Sequence, residues 1–125
     1  MSQPKNLIRS TQFGNTPNQQ DELSLLVSNG KKTASCSAFN PDLSYPDVGE
    51  IFIVQDSKGE DVCKIKITKT QIIPFNEVNE GQAVKEGEGD LSLDYWRKEH
   101  LRFFKTEGTY KKNMLLFFEE FIVID

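Results

Sequence analysis

The sequence has few of the residues that build disulfide frameworks or metal centres. It contains two cysteines, Cys36 and Cys63, and a single histidine among 125 residues. The C-x-x-C pairs typical of structural zinc sites are missing, so we expect no metal site and no cofactor. Both cysteines lie in strand-like segments, which indicates two buried, reduced thiols.

Long apolar runs and an excess of positive charge are also missing. No apolar segment approaches the roughly 20 residues that span a bilayer, and the N-terminus lacks the apolar core of a secretory signal. We therefore expect a cytoplasmic protein with no membrane partner. Fifteen Lys and Arg residues face nineteen Asp and Glu residues, which gives a net charge of −4. Phosphate binding needs clustered positive charge, so this balance excludes a broadly cationic nucleic-acid binder.

The order of turn signals and apolar patterns predicts an α+β fold. A polar segment over residues 1–12 is expected to be flexible. Helices are predicted over residues 17–29, 76–84 and from about residue 92, and strands over residues 32–38, 50–55, 61–73 and 114–124. The hairpin turn at residues 56–59 argues against a parallel doubly wound sheet. We therefore expect a small, strongly bent antiparallel sheet or barrel with helices at its ends.

Two lysines and two hydroxyl residues follow the first helix, in the segment Gly30-Lys31-Lys32-Thr33-Ala34-Ser35. The two-residue period of a strand places Thr33 and Ser35 on one face and sends Lys31 and Lys32 to opposite sides. A lysine amine can accept the proton of a serine hydroxyl if its pKa is lowered. The same pattern is also typical of solvated lysines that stabilise a helix end.

The segment Glu86-Gly87-Glu88-Gly89-Asp90 places three carboxylates around two glycines, which allow close backbone approach. It is consistent with an acid/base group, with a partner for a buried lysine, or with a solvated turn before a helix. Trp96 and His100 follow one helical turn apart, a spacing typical of a core stripe and also of a surface that stacks a base. We expect Trp96 and Phe103 to be mostly buried. In the last strand, Phe117, Glu119 and Phe121 share one face.

Together these segments resemble the ASCH domain family, whose fold is similar to the PUA RNA-binding domain. The resemblance covers roughly residues 13–124. Besides the lysine and acidic segments, it rests on Phe13-Gly14, Pro74-Phe75-Asn76-Glu77-Val78, Trp96 with His100 and Phe104, and Glu119-Glu120-Phe121-Ile122-Val123. In the family motif G-x-K-x₄-R, Gly30 and Lys32 match, while Ser37 stands where arginine is expected.

The resemblance implies a PUA-like small antiparallel β-barrel with flanking helices, formed by one domain over residues 13–125. Some bacterial members of the family are N4-acetylcytidine amidohydrolases, and another is a single-strand ribonuclease. By this resemblance the expected catalytic residues are Lys32, Ser35 and Glu88, and the expected substrate-binding residues are Lys31, Thr33, Glu86, Trp96 and His100.

The expected activity is therefore hydrolysis of RNA or a modified nucleoside, and the alternative is a non-catalytic RNA- or nucleotide-binding module. For catalysis we expect the Lys32 amine to lie within about 2.6–3.2 Å of an oxygen of Ser35 or Glu88, or to be bridged to it by one water molecule. To act as a base near neutral pH, Lys32 needs burial to lower its pKa against the raising effect of Glu88.

Overall fold

Five strands and three α-helices make up residues 8–124, the part of the chain that this computed structural model describes. A single 3₁₀ turn at Phe75–Glu77 follows β4. The elements are β1 (Arg9–Thr11), α1 (Pro17–Ser28), β2 (Ala34–Ala38), β3 (Ile51–Gln55), β4 (Asp61–Pro74), α2 (Glu80–Glu86), α3 (Leu93–Thr106) and β5 (Leu115–Val123). The predicted α+β order is confirmed. No helix within these residues is long and apolar enough to cross a membrane.

The strands form one mixed sheet in the order β1-β3-β4-β5-β2. Neighbouring strands from β3 to β2 are antiparallel, and the predicted adjacency of β3, β4 and β5 is confirmed. The expected antiparallel barrel is wrong in two respects. The sheet is mixed, because β1 pairs with β3 in parallel, and it does not close into a barrel. Closure requires every strand to pair on both sides, whereas the short edge strands β1 and β2 each pair on one side within the described residues.

The N-terminal segment contributes a strand to this sheet. Residues Arg9, Ser10 and Thr11 pair with consecutive residues of β3, from Phe52 to Val54. The prediction of a flexible segment over residues 1–12 is therefore wrong for β1, because its backbone completes the ladder beside β3. Residues 1–7 and 125 lie outside the described part of the chain.

The long strand β4 contains a β-bulge where it passes from one half of the sheet to the other. Ile67 lies opposite Phe121, but two residues later Lys69 lies opposite Glu120. One extra residue of β4 is therefore left without a partner in β5, which bends the strand and shifts its register. After the bulge, Thr70 lies opposite Glu119.

Apolar side chains form two clusters. One cluster joins α2 and α3 to the sheet and comprises Phe75, Val78, Ala83, Trp96, Phe104 and Leu116. The other lies beside α1 and comprises Val27, Val54, Ile65, Ile67 and Phe121. Together they show that the sheet is covered by helices on both faces.

The buried face of α3 differs slightly from the predicted one. Trp96 is 3% exposed, which confirms its predicted burial, but Phe103 is only partly buried and Phe104 is fully buried instead. Trp96, His100 and Phe104 follow each other at intervals of four residues, so they share one helix face and Phe103 lies at its edge. Cys36 and Cys63 are free thiols, as predicted, although both are only partly buried.

Candidate functional site

Lys32 is a buried cation at the entrance to β2. Only 2% of the side chain is exposed. Its ammonium donates to the backbone oxygen of Glu86 at 3.2 Å, to Glu86 Oε1 at 3.4 Å and to Glu88 Oε2 at 2.6 Å. A lysine ammonium has three N–H donors, so these three acceptors use all of them.

The acidic segment reaches Lys32 because a glycine allows its backbone to come close. Glu86 is the last residue of α2, two residues beyond the predicted end of this helix at residue 84. Gly87 then turns the chain with φ +70°. A Cβ atom at Gly87 would lie 2.1 Å from the carbonyl oxygen of Lys31. No side chain fits there, so this glycine holds Glu86 and Glu88 against the start of β2.

Glu86 lies at the centre of a network of donors. Besides Lys32, the indole Nε1 of Trp96 donates to its Oε2 at 2.9 Å, and Nε2 of His100 lies 3.6 Å from its Oε1. Burial alone would raise the pKa of Glu86, but the charge of Lys32 and the contact with His100 outweigh burial and lower that pKa to about 2. The carboxylate of Glu86 is therefore charged and fully partnered.

His100 is held by the same network. Its Nδ1 lies 2.9 Å from the backbone oxygen of Trp96, and its ring stacks on the indole at 4.1 Å between centroids. Burial opposes the charged imidazole, but the hydrogen bond and charge of Glu86 raise the pKa of His100 overall. Because Trp96 packs against His100 and the core, its ring is not an open platform for a base.

The charge state of Lys32 differs from what a general base requires. Burial lowers its pKa, but the charges of Glu86 and Glu88 more than offset burial, and the pKa of Lys32 is raised overall. The condition for a lysine base near neutral pH is therefore not met, and Lys32 is a fixed positive charge. The predicted short contact of its amine is present with Glu88, at 2.6 Å.

Ser35 does not join this cluster. It lies opposite Glu119 in the β2–β5 ladder, whereas the next residue, Cys36, lies opposite Phe118 and packs on the side of α2 and α3. Since side chains alternate along a strand, Ser35 lies on the other face of the sheet from Cys36. Its hydroxyl makes no side-chain hydrogen bond within residues 8–124. Of the two direct contacts offered as alternatives for the Lys32 amine, the one with Glu88 is therefore formed and the one with Ser35 is not.

Two other residues predicted to bind substrate, Lys31 and Thr33, lie outside the Lys32 cluster. Lys31 is exposed. The backbone N–H and the hydroxyl of Thr33 both donate to the carbonyl oxygen of Lys85, at 2.6 Å and 3.1 Å. Thr33 therefore fastens α2 to the entrance of β2. The structure brings together Lys32, Glu86, Glu88, Trp96 and His100, and leaves Lys31, Thr33 and Ser35 outside this cluster.

A small cavity with one carboxyl group in its wall, which the sequence analysis did not predict, lies on the face of the sheet that carries Ser35. A cavity of about 60 Å³ is lined by Thr11, Phe13, Pro46, Phe52, Ile65 and Glu119. Burial raises the pKa of Glu119 to about 7, against the opposing charge of Lys32. The signal was present in the sequence, because Glu119 shares the face of two phenylalanines in β5.

Three potential metal ligands also meet. Donor atoms of Cys36, Glu86 and His100 lie within 4.8 Å of one another. Thiolate, carboxylate and imidazole are ligands that Zn²⁺ accepts. However, burial and the charge of Glu86 raise the pKa of the Cys36 thiol well above its usual range. The ammonium of Lys32 also donates to Oε1 of Glu86. In this arrangement the Cys36 thiol keeps its proton and the carboxylate already has a cationic partner, which disfavours metal binding.

Comparison with known proteins identifies the family. The ASCH domain model matches residues 9–125. The crystal structure of an ASCH domain from Lactobacillus crispatus JV V101 is 32% identical with a TM-score of 0.88, covering 93% of this chain and 79% of that one. Protein EF3133 from Enterococcus faecalis V583 is 34% identical with a TM-score of 0.83, covering 95% of this chain and 82% of that one.

A more distant structure shares the fold alone. The hypothetical protein PH0355 is 20% identical with a TM-score of 0.59, over 84% of this chain and 94% of that one. Among curated proteins, none matches the chain. The family model spans nearly the whole chain, and two structures above 30% identity cover most of it. The chain therefore belongs to the ASCH domain family.

Proposed function

We propose that this ASCH domain is a hydrolase that acts on RNA or on a modified nucleoside. The observation that carries the proposal is the burial of Lys32 and Glu86, each 2% exposed, at the start of β2. Taking two charged groups out of water costs free energy that good geometry only partly offsets. Clusters of ionisable groups with shifted pKa values are concentrated at functional sites.

Glu88 is the member of the cluster that is open to solvent. Its side chain is 31% exposed, while one oxygen is held 2.6 Å from the Lys32 ammonium. A substrate can therefore reach Glu88, and the fixed charge of Lys32 keeps its orientation. In this proposal Glu88 contacts the substrate and exchanges a proton with it. The side chain of His100, in the same cluster, is 16% exposed.

The size and charge of the domain favour a small substrate. The net charge of −4 opposes a long polyanion, and Ser37 replaces the arginine of the family motif. A nucleoside or a short single strand presents fewer phosphates to be neutralised. An activated water molecule is the nucleophile that fits the position of Glu88, because Ser35 lies outside the Lys32 cluster. Ser35, the nucleophile that the family resemblance implies, is the competing assignment.

The non-catalytic alternative rests on a separate observation. All three donors of Lys32 are already used by Glu86 and Glu88. A saturated ammonium has no donor left for a substrate unless the cluster rearranges. A domain of this kind would bind RNA or a nucleotide without turning it over.

Hydrolysis of N4-acetylcytidine and of single-stranded RNA by the purified protein tests the proposal. Replacing Glu88 with glutamine removes the proton exchange, and we expect turnover to fall by about 10²–10⁴-fold. Ser37→Ala is the matched control for Ser35→Ala, because Ser37 is exposed two residues further along the same strand face. Loss of activity in Ser35→Ala alone supports an acyl-enzyme route, and retained activity supports an activated water.

Binding without turnover decides for the alternative. If the wild-type protein hydrolyses neither substrate but binds one of them, the domain is a binding module. Glu88→Gln would then change affinity only. Lys32→Ala is a poor first test, since it leaves Glu86 buried without its main partner.

A further inference from the structure

The cavity beside Glu119 is an apolar space with a single ionisable group in its wall. Strands β1, β3, β4 and β5 all contribute to its lining, together with Phe13 and Pro46 from the connecting segments. Four of its six lining residues are apolar, namely Phe13, Pro46, Phe52 and Ile65. Thr11 is the other polar residue of the lining, and Glu119 is its only titratable one.

The carboxyl group of Glu119 has no partner of its own. Glu119 makes no side-chain hydrogen bond or ion pair within residues 8–124. In the same part of the chain, no side-chain nitrogen or oxygen that is closed off from solvent lacks a hydrogen-bond partner. The oxygens of Glu119 are therefore within reach of a molecule in the cavity. Since partly buried carboxyl groups are normally paired or hydrogen-bonded, this one is available to a ligand.

The cations nearest to this carboxyl group are engaged elsewhere. The residues opposite Glu119 in β2 and β4 are uncharged. Lys69 lies opposite Glu120 instead, with its Nζ 4.0 Å from Oε2 of that glutamate. The charge of Lys32 lowers the pKa of Glu119, but the acidic segment uses all three donors of Lys32. A cation that pairs directly with Glu119 must therefore come from outside the described residues.

The volume and walls of the cavity define the rest of the ligand. One water molecule needs about 10–15 Å³ of such space, so a cavity of about 60 Å³ has room for roughly four heavy atoms. Apolar walls favour hydrocarbon, and the faces of phenylalanine rings attract cations rather than repel them. An ionised carboxyl group accepts hydrogen bonds and donates none, so it favours a positively charged N–H donor and disfavours an anion.

We propose that this cavity is a binding site for a primary alkylammonium ion, whose cationic head pairs with Glu119 and whose short alkyl chain lies against Phe13, Phe52 and Ile65. The site is separate from the Lys32 cluster, and it requires no hydrolase activity of that cluster. A small amine is thus recognised on one face of the sheet, independently of the chemistry at the other.

Binding of a cation to Glu119 should depend on pH. Burial and the charge of Glu86 raise the pKa of Glu119, the charge of Lys32 lowers it, and the outcome is a pKa of about 7. The ammonium ion binds the ionised carboxylate, and an alkylamine keeps its own proton up to about pH 10. Since roughly a tenth of Glu119 is ionised at pH 6 and most of it at pH 8, affinity should rise about tenfold between them.

Titration with n-propylammonium chloride, followed by ¹H–¹³C NMR of methyl groups, tests the site directly. We expect saturable shifts at the methyl groups of Ile65 and Thr11 at pH 8, with about tenfold weaker binding at pH 6. 1-Propanol has the same number of heavy atoms without the charge and should bind more weakly by about tenfold or more. Propionate, the anion of similar size, should give no saturable shift.

Variants separate the carboxyl group from its surroundings. Glu119→Gln keeps the shape of the side chain and removes its charge, so the affinity for n-propylammonium should fall by about tenfold or more and lose its pH dependence. Glu120→Gln is the matched control and should stay within about twofold, because Glu120 pairs with Lys85 and Lys69. Thr11→Met fills the cavity, leaves Glu119 in place and should abolish binding.

The possible results decide for or against the amine site. Absence of saturable shifts at Ile65 and Thr11, equal binding of 1-propanol and n-propylammonium, or unchanged affinity in Glu119→Gln overturns it. If Glu119→Gln does not fold, retained affinity in Thr11→Met overturns it instead. Turnover of RNA or a nucleoside in the absence of amine binding leaves the proposed hydrolase standing, and amine binding without turnover supports this site alone.

Discussion

Glu86 and Glu119 are two sheltered glutamates with opposite environments. Glu86 accepts from Lys32 and Trp96 and lies beside His100, and its pKa falls to about 2. Glu119 has an apolar cavity on one side and no side-chain partner within residues 8–124, and its pKa rises to about 7. Burial raises the pKa of both groups. The charge of Lys32 and the contacts with His100 and Trp96 outweigh burial at Glu86, whereas the charge of Lys32 does not outweigh burial at Glu119.

The comparison separates structural charge from available charge. A carboxylate with every oxygen occupied stabilises the fold, and its proton affinity is too low for exchange at neutral pH. A carboxyl group without partners destabilises the fold when it ionises, yet it can take and release protons near neutral pH. The dense charges of the Lys32 cluster therefore stabilise the fold, whereas the carboxyl group of Glu119, which has no side-chain partner within residues 8–124, is the one able to exchange protons near neutral pH.

The largest expected effect comes from removing the cation of the Glu86 site. Lys32→Met leaves Glu86 buried and without its main partner, and should lower the free energy of unfolding by about 3–5 kcal/mol. Chemical denaturation measures the change. Lys31→Met, at the exposed neighbouring position, should stay within about 0.5 kcal/mol.

The double variant Lys32→Met/Glu86→Gln sharpens this test. It removes both buried charges, so it should recover part of the stability lost in Lys32→Met. Additive losses in the double variant would show that the two side chains do not depend on each other.

The next effect is a difference in pH dependence. The pKa of Glu119 is raised from 4.5 to about 7, so the folded state loses stability as pH rises through that range. Glu119→Gln lacks this loss, and its stability relative to the wild type should rise by on the order of 3 kcal/mol between pH 4 and 8. Denaturation at several pH values measures it, and titration of His100 cancels in the difference.

The effect of Glu86 on the pH dependence of stability should have the opposite sign to that of Glu119. Its pKa is lowered to about 2, so its contribution to stability is present above its usual pKa and is lost as pH falls toward 2. For the preceding prediction, profiles of unfolding free energy against pH that run parallel in Glu119→Gln and the wild-type protein would contradict the assigned environment of Glu119.

The smallest expected effect tests how the acidic segment is held. Gly87→Ala places a Cβ atom 2.1 Å from a backbone oxygen, whereas Gly59, with a similar φ of +78°, has nothing within 4 Å. Gly87→Ala should therefore cost about 1–3 kcal/mol more than Gly59→Ala. The pH profile assigned to Glu119 should persist in Gly87→Ala, since the two regions lie apart.

Most of the fold could be predicted from local signals. Thr16 and Ser92 cap α1 and α3 through hydrogen bonds to the backbone of Gln19 and Tyr95, and the turn at residues 56–59 joins β3 to β4. The strand β1 was not predicted, because three polar residues carry no pattern and their order depends on the edge of β3. Closure into a barrel was inferred from the family resemblance and depends on pairing between distant strands.

The candidate site was predictable only in part. The contact of Lys32 with the acidic segment followed from sequence, since a buried lysine needs carboxylate partners. The separation of Lys32 from Ser35 follows from their odd spacing along an extended chain. The pairing of Ser35 with Glu119 joins residues 84 positions apart (119 − 35), and no local pattern reports it.

The bulge in β4 decides which of two adjacent glutamates is neutralised. If the register of Ile67 with Phe121 continued without interruption, Lys69 would face Glu119. The extra residue instead moves Lys69 opposite Glu120, where Nζ lies 4.0 Å from Oε2, and brings the uncharged Thr70 opposite Glu119. An irregularity in backbone pairing thus determines which glutamate faces a lysine. It keeps the charge of Lys69 away from Glu119 in the cavity wall, where a neighbouring cation would lower the pKa of the carboxyl group.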